Sequence, residues 1–209
     1  MRLLMVLGVV GVIAGPALGG IVISEWMYNG LGDGKTGEYI EFTNVGAESV
    51  DMTGWSFDDS SRLAGTVSLS AFGVVAPGES AILTDDSVAV FEAVWGLDGV
   101  KIVGDNTANL GRSDEINLYD AAGNLVDRLT YGDQDYPSTV RTQNQGCNIP
   151  AADYDYTVVQ TGWELATVGD AYGSWTSSRG EIGSPGQVPE PATLVLLVGG
   201  LVLLARPKR

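Results

Sequence analysis

Glu38-Tyr39-Ile40-Glu41-Phe42-Thr43-Asn44 alternates along its length, with Ile40 and Phe42 on one face of an extended chain and Tyr39, Glu41 and Thr43 on the other. This period of two predicts a half-buried strand, apolar toward a core and polar toward solvent. The pattern repeats outward in both directions. Upstream, across the glycine-rich loop Asn29–Gly34, Ile21-Val22-Ile23 is a continuous β-branched run suited to a buried strand. Downstream, Gly54-Trp55-Ser56-Phe57 puts two large aromatics on one side of a short strand, and Val67 and Leu69 alternate again. Pro77-Gly78 marks a turn before the strand Ala81–Thr84. Ser87 stands as N-cap to Val88–Trp95, the one helix expected. Val100–Val103, Glu115–Tyr119 and Leu125–Tyr131 complete the set, the last two joined by the turn Asp120–Asn124. About eight short strands at this spacing predict an all-β fold, a β-sandwich.

Both ends read differently. Met1-Arg2, the apolar run Leu3–Ala14 and the small residues Ala17 and Gly19 fit a secretory signal peptide, residues 1–19, with a cut after Gly19 or Ala17. At the other end, Val188-Pro189-Glu190-Pro191 leads into an apolar run, Ala192–Ala205, and then Arg206-Pro207-Lys208-Arg209. A helix over that run reaches about 21 Å, short of a bilayer core. Its basic end would stay on the cytoplasmic side.

Between these ends, seven of the 11 Lys+Arg and all 26 Asp+Glu fall in residues 20–191, a net charge of −19. Such a surface repels nucleic acid and attracts cations. Cys147 is the only cysteine, so an intramolecular disulfide is excluded and packing must hold the domain. Residues 133–187 lack periodicity; they are polar and turn-rich, with Tyr136, Tyr154, Tyr156, Trp163, Tyr172 and Trp175. This stretch reads as an irregular extension that either wraps the sandwich edge or forms a stalk, closed by the linker Ser184–Gln187.

Two family resemblances rest on these residues. Pro189, Glu190 and Pro191, the apolar segment, and the basic end Arg206, Lys208 and Arg209 resemble a PEP-CTERM sorting signal over 188–209. The resemblance implies recognition and cleavage by a membrane-bound exosortase. Pro207 inside the basic end departs from the arginine cluster of many members. The second resemblance is carried by Ile21-Val22-Ile23-Ser24-Glu25, by Gly37–Asn44, and by Val50-Asp51-Met52-Thr53-Gly54-Trp55. Over residues 20–132 it is similar to a lamin tail domain. That family implies an immunoglobulin-like β-sandwich acting as an interaction module, with Glu25, Glu38, Glu41, Asn44, Gly54 and Trp55 as structural positions.

The chemistry available is narrow. The chain has no histidine, which excludes Ser-His-Asp and Cys-His catalysis and histidine zinc sites. Glu25, Glu38 and Glu41 could approach one another for paired-carboxylate work, but hydrogen bonds to loop N–H groups or to Arg explain their place better. Hard-oxygen pairs occur at Asp58-Asp59, Asp85-Asp86, Asp114-Glu115, Asp133/Asp135 and Asp153/Asp155, none in a known calcium-loop spacing. No cofactor or metal site is expected, although weak Ca2+ binding by such pairs is open. The expected protein is a non-enzyme, exported from a Gram-negative-type bacterium. It would be held briefly in the inner membrane by its tail, then placed at the cell surface or in the extracellular matrix. Signal peptidase and exosortase are the processing partners, and an exopolysaccharide or surface protein is the expected ligand class. Two alternatives stand beside it: a calcium-stabilised carbohydrate-binding module using Trp163 or Trp175, and a small carboxylate-based hydrolase.

Overall fold

The structure, a computed structural model, describes residues 20–150 and 163–187. The expected signal peptide, the sorting segment and Asp153/Asp155 lie outside them.

The strands expected from alternation form two sheets. β1 (Ile21–Met27) pairs antiparallel with β2 (Tyr39–Asn44), and β2 with β7 (Ser80–Thr84). β8 (Lys101–Val103) runs parallel to β7, reached through α1 (Val88–Trp95). A parallel pair needs such a crossover. The short edge strand β11 (Cys147–Asn148) joins the free side of β1. The second sheet sets β9 (Asp114–Tyr119) between β10 (Leu125–Tyr131) and β4 (Ser56–Asp58), with β5 (Val67–Ser68) at its edge. Two small ladders complete the set: β3 (Val50–Asp51) with β6 (Val74–Val75), and β12 (Trp175–Thr176) with β13 (Ile182–Gly183).

The core lies between the sheets. Ile21, Ile23, Trp26, Ile40, Phe42 and Leu83 face Phe57, Ile116, Leu118, Leu129 and Tyr131. Trp26 stacks edge-on against Trp163 at 5.4 Å and tilts against Tyr131 at 5.2 Å. Aromatic pairs in such geometry add to burial. α1 forms where expected, although the Ser87 side chain makes no capping bond; Gly96 closes the helix in the left-handed conformation.

Two expectations need correction. The second face of β2 is not solvated: Tyr39, Glu41 and Thr43 are buried along with Ile40 and Phe42. The reason is a second layer, in which Phe91 and Trp95 of α1 and Trp175 pack on Met27, Tyr39 and Ile82. Residues 133–187 are also not a mere appendage. They supply β11, bury Trp163 and Ile149 in the core, and return as β12 and β13. Ser184–Gln187, read as a closing linker, is bonded into the sheet.

Candidate functional site

Across the β1–β2 ladder Glu25 stands directly opposite Glu41, so both carboxyl groups point to the face beneath the second layer. A register shift between Ile23 and Glu25 marks a β-bulge. It frees the Ile23 N–H, which donates to Asp127 Oδ2 on β10 at 2.9 Å and ties the two sheets together.

The strap Ile182–Gln187 crosses this carboxyl pair. The Ser184 N–H donates to Glu25 Oε1 at 3.0 Å and Oε2 at 3.2 Å, and its hydroxyl donates to Oε2 at 3.3 Å. The Gly186 N–H donates to Glu41 Oε2 at 2.5 Å. Asn148 of β11 bridges Glu25 and Ser184. Beneath Glu41 runs a chain of hydroxyls: Ser80 to Thr43 at 2.7 Å, Thr43 to Ser24 at 2.7 Å, and Ser24 to Glu41 Oε1 at 2.7 Å.

Two glycines make the close packing fit. A Cβ on Gly183 would fall 2.5 Å from the Tyr39 hydroxyl and 3.0 Å from Glu25 Oε1; one on Gly146 would fall 2.5 Å from Glu25 Oε1. Both are there for close backbone approach.

Among the described residues neither Glu25 nor Glu41 forms an ion pair. Burial first, then the neighbouring Glu41 charge, pushes the Glu25 carboxyl up to about 8, against the Ser184 donors that lower it. Burial likewise raises Glu41, opposed by Gly186 and the hydroxyls. Glu38 stands apart from this pair. Its Oε2 accepts the Leu110 N–H at 2.7 Å while Oε1 has no partner, and burial pushes it up to about 9. The structure thus brings Glu25 and Glu41 together and leaves Glu38 elsewhere. All three bond backbone N–H groups, and none bonds an arginine.

Three further residues expected to be structural are Asn44, Gly54 and Trp55. Asn44 donates to the Glu48 and Val75 carbonyls and accepts from the Gly46 N–H. Gly54 has φ +82° and donates to Ser70, while Trp55 is half-buried against the core. Trp163 is buried, and Trp175 donates from Nε1 to the Trp95 carbonyl, so Trp163 offers no free face to a sugar ring.

Most carboxylates of the described acidic pairs are likewise engaged. Asp58 accepts from Ser61 and Leu63, Asp85 from the Gly37 N–H, and Asp114 from Gly111. Glu115 holds Arg62, Asp133 holds Arg112, and Asp86 holds Arg179. Among the described residues no group of three or more acidic or cysteine side chains is placed to hold a metal ion. No described helix is long and apolar enough to cross a membrane.

The residues that sequence reasoning missed are Ser184, Gly186, Gly146, Gly183 and Asn148. The available signal was Glu25 itself, a carboxylate between Ile23 and Trp26 in an otherwise buried strand. Among curated proteins, none matches the chain. The profile of the lamin tail domain family matches residues 14–133. That match spans more than half of the sequence and covers both sheets through β10; the chain therefore belongs to the lamin tail domain family, with its immunoglobulin-like fold.

Proposed function

We propose that this protein is exported, sorted through its C-terminal segment, and acts at the cell surface or in the extracellular matrix by binding or structure rather than catalysis. The observation that carries the reading is the tail itself. Pro189-Glu190-Pro191, a 14-residue apolar run and a basic end follow a domain that already holds its strap in place. The apparent signal peptide supports the same destination. The non-catalytic part draws support from the carboxyl groups. Glu25, Glu38 and Glu41 are buried and bonded to backbone donors, so each serves to hold loops and strap, with no face presented to a substrate. The −19 charge of residues 20–191 favours partners that are cationic or neutral over nucleic acid.

The test is fractionation of host cells producing either the full chain or a version ending at Gln187. The full chain is expected at the cell surface or in the matrix. The shortened one should accumulate in the periplasm or escape to the medium. Equal distribution of the two would overturn the sorting reading.

A further inference from the structure

The strap meets the sheet through a pair of carboxyl groups that cannot both be charged cheaply. Glu25 and Glu41 face each other in register, are at most 1% exposed, and have no cation bonded to either among the described residues. Among the described residues, the backbone donors that reach them belong to two strap residues, Ser184 and Gly186, with Asn148 of β11 adding a side-chain bond to Glu25.

We propose that Glu25 and Glu41 form a proton-operated latch on the strap: with a proton bound to the pair they hold Ser184 and Gly186, and when both ionise they release the strap from the sheet. Two like charges opposite one another in a buried site repel and are costly to keep from water; burial outweighs what the Ser184 and Gly186 donors return, and lifting the strap is what would let water reach the pair. The other titratable groups near the pair reinforce this sense. Tyr39 on β2 and Cys147 on β11 are both pushed up by burial and stay neutral. Nearby cations are committed elsewhere: Arg179 to Asp86 and Glu181, Lys101 to Glu79. From β7, Ile82 stands opposite Glu41 in register and Ser80 reaches Glu41 with its side chain.

A route for the proton is also present. A cleft of about 260 Å³ is lined by Pro77, Glu79, Ser80, Val100 and Gly186. From its wall the hydroxyls of Ser80, Thr43 and Ser24 lead by 2.7 Å steps to Glu41 Oε1. Since Val188-Pro189 follows directly, release would lengthen the tether between domain and tail. That consequence, but not the latch, rests on the sorting reading.

Hydrogen exchange of the purified full chain tests the latch, with rates corrected for intrinsic pH dependence. Protection of the Ser184 and Gly186 amides is expected to fall between pH 6 and pH 9 by at least tenfold more than that of Ile116 and Leu118. In Glu25→Gln/Glu41→Gln the strap should lose this dependence; if that variant does not fold, Glu41→Gln alone should shrink the drop. A flat wild-type profile, strap and core protection falling by the same factor, or an unchanged drop in a folded variant would each overturn the latch.

Discussion

Raising the pH from 5.5 to 8.5 should destabilise this protein, against the common pattern in which carboxylates gain stability as they ionise. The sign follows from Glu25 and Glu38. Burial holds Glu25 at about 8 and Glu38 at about 9, both far above the 4.5 of a free side chain. Between those limits the folded state keeps a proton that the unfolded chain has lost, so unfolding stability falls with rising pH. Each pH unit is worth about 1.4 kcal/mol per group. Over pH 5.5 to 8.5 the ceiling is therefore roughly 3 kcal/mol for Glu25 and roughly 4 kcal/mol for Glu38. Relaxation and water entry reduce both, and a combined fall of about 3 kcal/mol or more is expected. The opposing carboxylates do not cancel it. Glu115 and Asp170 are held below their usual range, so their stabilisation is complete by about pH 5 and is lost only at lower pH. Urea unfolding at pH 5.5, 7 and 8.5, followed by the fluorescence of buried Trp26 and Trp163, reads the slope. Glu25→Gln and Glu38→Gln should each flatten it. Constant or rising stability across the range, with unchanged m, would refute the reasoning.

Other perturbations test separate parts. Gly183→Ala drives a methyl to 2.5 Å from the Tyr39 hydroxyl and should cost about 1–3 kcal/mol by urea melt; a neutral result would mean the strap is loosely seated. Arg179→Ala leaves Asp86 and the fully buried Glu181 without their cation and should cost about 3–5 kcal/mol, read the same way. Phe42→Ala opens the core between the sheets and should cost about 3–5 kcal/mol in a thermal or urea melt. EDTA should leave the melting temperature unchanged, because most carboxylates of the described acidic pairs are taken by internal donors; a fall would favour the calcium alternative.

The strands of both sheets and α1 were legible because their alternation, turns and cap positions are local. Ile40 and Phe42 point into the core as the alternation requires. The covered face was not legible. A polar residue every second position reads the same whether it meets water or a strap supplying N–H donors. Glu41 is of the second kind, since Gly186 reaches it with a backbone group that leaves no side-chain signature. β11, β12 and β13 are two residues each, too short to show a period. The acidic pairs were legible as turn-formers, but their arginine partners lie far away in sequence, as Arg62 does from Glu115.

The central claim, that this domain is exported and trimmed at its C-terminal segment, meets its most direct test in the intact mass of the protein from its host, with and without the exosortase. The account predicts a mature chain starting near Gly20 that keeps its strap and lacks most of the sequence after Pro191, only when the exosortase is present. A full tail regardless of the enzyme, or trimming that persists without it, would contradict the account.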